Sequence, residues 1–297
     1  MTIPESQLDT WSHQGSVTQS ASTYATIKLA LENSDAGYAD KAYSIFLQGS
    51  YGNDTNIYAE SDVDVVMKLT SLFYYDICAL SAEDQQRFHS GTGGPSTYDY
   101  FSFKNHVVEV LENRFGSSNV KSGNKAIKIV GSGNRRDADV RACANFRKYR
   151  RYTGSPTDYE EGICFWNGLG QQIANYPRHH SQNCTTKHQG TLSWFKPMVR
   201  ILKNMRSRLV SNGAIEGGTA SSYYIEGLMY NIPASKFGSS YGSTFVATMN
   251  WLNETDRTQL VCVNEQYYLL RDNSETCWPI AKGDRFITES IQLWNNW

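Results

Sequence analysis

Several absences narrow the field before any motif is considered. No apolar run approaches the roughly 18 residues that a membrane-spanning helix needs, and Met1 to Thr10 has no basic region followed by an apolar stretch. The expectation is a soluble, cytoplasmic protein without membrane contact. No excess of either charge is present: 28 Lys and Arg stand against 29 Asp and Glu, for a net charge of -1, so no global field draws the chain to nucleic acid or to an anionic surface. The six Cys (78, 143, 164, 184, 262 and 277) contain no C-x-x-C pair, and a chain of 297 residues builds its core without staples, so they are expected as reduced thiols. Charged residues, at 19%, fall below the usual quarter, while aromatics reach 13% with 19 Tyr, which argues against disorder.

The hydrophobic patterning divides the chain into an α/β N-terminal part and a mainly helical C-terminal part. A Pro-free stretch from Leu8 to Asn33 predicts a long N-terminal helix, clearest over its second half. Ala42 to Gln48 and Val63 to Leu69 are short, β-branched and apolar, and read as strands. The polar, Gly- and Pro-containing segment from Ser81 to Tyr100 reads as a mobile connection. Phe101 to Phe115 places Phe103, Val107, Val110, Leu111 and Phe115 on one helical face before Gly116, which suits a C-cap. Lys125 to Val130 and Ala138 to Phe146 flank Gly131-Ser-Gly-Asn134, a spacer that suits a hairpin. Helices are expected over Thr191–Val210, Ser221–Tyr230, Ser243–Leu252 and Asp284–Trp297.

The chemistry is concentrated in Gln48-Gly-Ser-Tyr-Gly-Asn-Asp-Thr-Asn-Ile57 and Ser61-Asp-Val-Asp-Val-Val66. On a strand alternate side chains share a face, so Asp62 and Asp64 project together while Val63 and Val65 enter the core. Two carboxylates so placed repel unless a divalent cation sits between them, and hard oxygen ligands with open positions for phosphate suit Mg²⁺, with Mn²⁺ as a substitute. Gly49-Ser50 follows a strand, where glycine permits close approach and free backbone N–H groups can receive phosphate. A third carboxylate is available at Asp137 or Asp139, which share a strand face.

Taken singly these pieces are a strand edge and a hairpin turn. In this order, strand, Gly-Ser, about a dozen residues and then Asp-Val-Asp on a second strand, they resemble the DNA polymerase β-type nucleotidyltransferase superfamily. That resemblance favours Asp139 as third carboxylate, because an aromatic-Arg pair, Phe146-Arg147, follows it. The C-terminal half narrows the likeness. Asn175-Tyr-Pro177, Lys187-His188, Phe195-Lys196, Val199 to Met205 and Ala220-Ser-Ser-Tyr-Tyr-Ile-Glu-Gly-Leu-Met-Tyr-Asn-Ile-Pro233 are similar to bacterial cyclic-GMP-AMP-synthase/DncV-like nucleotidyltransferases.

The resemblance implies an α+β fold: a polymerase β-like core with a mixed sheet and flanking helices over residues 1–175, and a mainly helical nucleotide-binding domain over 176–297. It implies catalytic and metal-holding roles for Asp62, Asp64 and Asp139. Gln48, Gly49, Ser50, Lys203 and Ser222 would bind the nucleotide, the last three on its phosphates, and Tyr223 would stack on the base. Without the Asp motif, Lys203 would read as a surface lysine covering apolar neighbours, and Tyr223 as a core aromatic with a wet hydroxyl.

The implied activity joins NTPs such as ATP and GTP, with Mg²⁺, into a cyclic di- or trinucleotide second messenger of anti-phage defence, read by an effector and open to a regulatory partner protein. A nucleic-acid activator is not expected. Two other readings remain: transfer of nucleotides to RNA, tRNA or protein, and an inactive nucleotide-binding module. Two departures from the family stand out: Gly52-Asn-Asp-Thr55, where many relatives carry a basic residue before the Thr, and Arg141, where an apolar residue is common. His179, His180, Cys184 and His188 raise a zinc reading, set against that of an ordinary polar loop.

Overall fold

The computed structural model describes residues 1–15, 17–59, 62–153 and 158–297. Ser61, which opens the Ser-Asp-Val-Asp run, lies outside them. In chain order the main elements are α1 (Glu5–Ser12), α2 (Thr18–Leu31), β1 (Tyr43–Leu47), α3 (Gly49–Gly52), β2 (Val63–Asp76), α4 (Ala82–Gly91), α5 (Tyr100–Phe115), β3 (Val120–Ser122), β4 (Ile127–Ile129), β5 (Ala138–Tyr149), β6 (Tyr159–Trp166), β7 (Gln172–Asn175), α6 (Pro177–Gly190), α7 (Phe195–Ser211), α8 (Ser222–Asn231), α9 (Tyr241–Glu254) and α10 (Ile280–Asn295).

Contacts divide the chain into two compact units that are not continuous in sequence. One comprises 18–48 and 62–177; the other comprises 1–17, 49–61 and 178–297. Against the expected division into 1–175 and 176–297, the first 17 residues and the segment carrying Ser50 thus group with the C-terminal helices.

The first unit is built on a mixed sheet, with β1, β2, β5, β4 and β3 side by side and β6 and β7 continuing from β5. β2 and β5 are parallel, and the other pairings are antiparallel. β5 pairs with β2 along one side; along the other it gives Ala138–Val140 to β4 and Ala144–Tyr149 to β6. The β-branched and apolar run opening β2 explains its central place: Val63, Val65, Met67 and Leu69 are buried on one face. On the other face Val66 joins Tyr100, Cys143, Ile163, Phe165 and Ile173 in a second apolar cluster.

The second unit encloses a core in which α7 contributes Phe195, Met198, Val199, Ile201, Leu202, Met205 and Leu209, at the three- and four-residue spacing of an amphipathic helix. Leu8 of α1, Tyr224, Ile225 and Leu228 of α8, Phe245 and Met249 of α9 and Phe286 of α10 complete it.

Several expectations need correction. The N-terminal stretch forms two helices, α1 and α2, that fall in different units. The segment from Ser81 is not a structureless connection: Ser81 caps α4 by accepting from the Asp84 amide, Glu83 and Asp84 fill its first turn, and Arg87 reaches back to Glu83. The His-containing segment taken as a polar loop is α6, opened by Pro177 in the position where a missing N–H costs nothing. Strands β6 and β7 were not foreseen. The Gly116 C-cap is present, with φ of 87°, and so is the hairpin around Gly131-Ser-Gly-Asn134. All six cysteines are free thiols. Among the described residues no helix is long and apolar enough to cross a membrane.

Candidate active site

In the sheet unit the register of β2 and β5 aligns Asp64 with Asp139 on adjacent parallel strands. Residues in register on neighbouring strands share a face, so these carboxylates lie side by side. Asp62 precedes β2 by one residue and lies on the Asp64 side of the alternation, while Val63 and Val65 are fully buried on the other. The electrostatics are those of crowded anions. Burial raises the pKa of Asp139, the charge of Asp62 raises it further, and Lys128 and Arg141 only partly compensate.

Asp137, which shares the strand face, is committed elsewhere. Its Oδ1 accepts from the Gly131 amide at 2.6 Å and its Oδ2 pairs with Lys128 at 3.3 Å, closing the hairpin turn. These contacts hold its pKa below the ordinary value, the Gly131 hydrogen bond first among them. Asp137 is thus engaged at the hairpin turn, while Asp139 stands in register with Asp64. Gln48 follows β1 directly: its amide donates to the Asp64 carbonyl at 3.0 Å, and its side-chain Oε1 is buried with no hydrogen-bond partner among the described residues. Arg141 lies 4.9 Å from the centre of the Phe165 ring and donates from Nε to the Lys125 carbonyl, so part of its reach is spent within the sheet unit.

In the helical unit α3 is a single turn that Gly49 enters with φ of 69°, a conformation glycine adopts without penalty. Lys203 is fully buried, contrary to the surface-lysine reading, and its Nζ donates to Ser50 Oγ and to the Thr55 carbonyl, each at 2.8 Å. The lysine and serine singled out from sequence are therefore in direct contact. α3 also packs on α8, whose first residue is Ser222; the helix is capped by Ser221, which accepts from the Tyr224 amide. Tyr223 is partly exposed. Its hydroxyl accepts from Asn264 Nδ2 at 3.1 Å and its ring is stacked on His180, with centroids 5.0 Å apart and planes 26° from parallel. Burial pushes the phenol pKa up, so the hydroxyl stays neutral.

Sequence reasoning missed the group beneath this segment. Glu226 is buried, and its carboxylate accepts from Thr55 Oγ1, from Asn53 Nδ2 at 3.2 Å and from His180 Nε2 at 2.6 Å. Burial alone would raise its pKa, but the His180 hydrogen bond and charge, then Lys203 and Thr55, outweigh it, and the net shift is downward. A visible signal was available: a lone acid inside the apolar run Tyr223 to Met229. Asp54, in the stretch that departs from the family, is held by Lys196 Nζ at 2.8 Å and by Arg200, which donates to its carbonyl at 2.6 Å. The zinc candidates separate. His180 and Cys184 come together with Glu226, their ligand atoms within 4.8 Å of one another, whereas His179 and His188 are not in that cluster.

The profile of the cGAS/DncV-like nucleotidyltransferase C-terminal helical domain matches residues 182–295. The cyclic UMP-AMP synthase of Rhodothermus marinus is 37% identical over 298 residues, spanning 100% of this chain and 99% of that protein. The chain belongs to the cGAS/DncV-like nucleotidyltransferases. The cyclic nucleotide synthase CdnE01 of Staphylococcus haemolyticus is 36% identical over 304 residues, covering 100% of both chains. The solved structure of the R. marinus CdnE c-UMP-AMP synthase with Apcpp and Upnpp superposes with a TM-score of 0.89, covering 99% of this chain and 97% of that one. The α+β architecture with its C-terminal helical region is thus that of the family, and the chain is an enzyme of the nucleotidyltransferase class.

Proposed function

We propose that this nucleotidyltransferase joins nucleoside triphosphates into a cyclic dinucleotide or trinucleotide that serves as a second messenger for an effector protein. The observation that carries the reading is end-to-end likeness to enzymes named for that reaction while their bases differ: UMP-AMP in one, dipurine products in another from Elizabethkingia meningoseptica that is 34% identical over 285 residues. Each transfer has an acceptor ribose hydroxyl attack the α-phosphorus of a donor NTP, with pyrophosphate leaving, and a second transfer closes the ring.

The residues present suit a divalent cation. Asp62, Asp64 and Asp139 are hard oxygen donors, and the Asp139 pKa is held up first by burial and then by the charge of Asp62, an environment that a bound cation would relieve. These three would hold Mg²⁺, or Mn²⁺; when bound, the ion neutralises triphosphate charge and lowers the pKa of an attacking hydroxyl. Lys203 supplies a point charge for phosphate and Ser50 and Ser222 supply hydroxyl donors. Gln48 and Gly49 form the approach to that segment. Tyr223 offers a ring for the base, and stacking of this kind contributes about 1–3 kcal/mol in nucleic-acid systems.

The test is incubation of the purified protein with all four labelled NTPs and Mg²⁺ or Mn²⁺, phosphatase treatment, and identification of resistant products by chromatography and mass spectrometry. A resistant cyclic product that is absent with Asp62→Asn/Asp64→Asn is the expected result. Product that forms only when RNA or another macromolecule is added would overturn it.

A further inference from the structure

His180 is not among the residues to which the nucleotide chemistry assigns a role, yet it touches one of them, Tyr223, directly and reaches another, Ser50, through Glu226 and Thr55. It is 5% exposed and sits on the first turn of α6, one turn before the buried Cys184. Its ring lies against Tyr223 in near-parallel contact. Its Nε2 bonds Glu226, and Glu226 in turn bonds Asn53 and Thr55, three and five residues beyond Ser50. Thr55 also closes on Ser50, its amide donating to the Ser50 carbonyl at 2.9 Å.

We propose that His180 is a positioning residue for nucleotide binding, which rests on the reading of Tyr223 as the base shelf and of Ser50 as a phosphate contact. The imidazole backs the Tyr223 ring, and Asn264 holds the same ring by its hydroxyl, so two independent contacts fix its tilt. A ring already held in place loses little freedom when a base stacks on it, and pre-organisation of this kind raises affinity without any new contact to the ligand. Through Glu226 the same imidazole fixes the segment after Ser50. With Glu226 ionised, Nε2 must carry the proton in either charge state of the ring, so the orientation of the imidazole is set by the carboxylate rather than by solvent.

A zinc ion among His180, Cys184 and Glu226 is the rival role for these side chains. The hydrogen bonds argue against it. Glu226 already receives three donors, and burial raises the Cys184 thiol pKa well above its ordinary value, with the Glu226 charge adding to it.

The experiment uses the full chain. His180→Gln keeps an N–H donor for Glu226 and removes the ring; His180→Phe/Glu226→Gln restores a ring and replaces the carboxylate that would otherwise lose its imidazole donor; Tyr223→Leu removes the shelf itself. Steady-state kinetics with NTPs and Mg²⁺, thermal melting and zinc content are measured for each. For His180→Gln the expected result is an apparent KM for NTP raised about two- to tenfold, the range of one aromatic contact, with kcat within about twofold of wild type. The double variant is expected to bring KM back towards wild type.

If Tyr223→Leu raises KM while His180→Gln leaves it unchanged, the positioning role is overturned and the shelf reading survives. If Tyr223→Leu also has no effect, the shelf reading itself falls. Lower stability and kcat with KM unchanged in His180→Gln would make the residue merely structural. Stoichiometric zinc that Cys184→Ser releases would make it a ligand.

Discussion

Asp139→Asn should separate stability from activity in a measurable way. Neighbouring strands lie about 4.8 Å apart, so carboxylates in register across them sit about 5–6 Å apart; at an effective dielectric of about 20 their repulsion is about 3 kcal/mol. Asp139 is only partly buried, and Lys128 and Arg141 offset some of this field, which reduces the recoverable amount to about 1–2 kcal/mol. An amide fills the same volume without the charge. In EDTA the variant should therefore melt above the wild type, by about 2–8 °C for a domain of this size.

Adding Mg²⁺ reverses the order. An ion at about 100 times its dissociation constant stabilises the wild type by about 2.7 kcal/mol, and, on the proposed ligand role of Asp139, the variant gains less. Product formation should fall about a thousandfold or more, since several kcal/mol of charge stabilisation depend on the carboxylates. Differential scanning fluorimetry with and without Mg²⁺, run beside the NTP assay, reads all three quantities. Melting of the variant below wild type in EDTA would refute the reasoning, because it would mean that Asp139 is held by net attraction.

Asp137→Asn should retain most activity and lose about 1 kcal/mol by urea unfolding, because it gives up a charge-assisted bond at the hairpin turn rather than a ligand. Lys203→Met should cost about 1–3 kcal/mol, the range for leaving buried polar groups without their donor, and raise the apparent KM for NTP at least about tenfold; intact stability on calorimetry would count against the buried contacts. Glu226 has a folded-state pKa below its unfolded one, so its contribution is present above the unfolded value of about 4.3 and is lost as pH falls from about 5 through the folded value. Glu226→Gln should accordingly be less stable than wild type at pH 7 but show a flatter loss between about pH 5 and 3, as followed by urea midpoints. Gly15→Ala should destabilise by about 1–3 kcal/mol, because a Cβ there would come within 2.6 Å of the Ile57 backbone; a midpoint unchanged by the substitution would show that this approach is loose.

What sequence could disclose followed physical range. Local signals with a single cause were legible: the Val63–Val66 run as a strand, Gly116 as a cap, the apolar stripe of α7. The carboxylates were legible because strand alternation places Asp62 and Asp64 together whatever the rest of the fold does. Contacts between distant segments were not. Lys203 has the pattern of a surface lysine on an amphipathic helix, and only the fold brings it to Ser50, 153 residues away. The same holds for Glu226 and Thr55, 171 residues apart. In α4 the error was local: Ser81 and Asp84 carried a helix-start signal that the Gly and Pro further along obscured.

The interleaving of the two units governs how the chain can be made. Residues 1–17 and 49–61 leave the ribosome early, yet the helices they pack with begin at residue 178. At about 5–20 residues per second those early segments wait many seconds for partners, while most of the sheet unit is already complete. The segment around Ser50 is thus the part of the sheet unit's own hairpin connection that cannot settle when that unit does. Nor can evolution move either unit as a cassette, since four chain crossings separate them, at 17/18, 48/49, 61/62 and 177/178. Diversification of such an enzyme has to proceed by substitution in place, which agrees with two relatives that match it over nearly its whole length and are named for different bases.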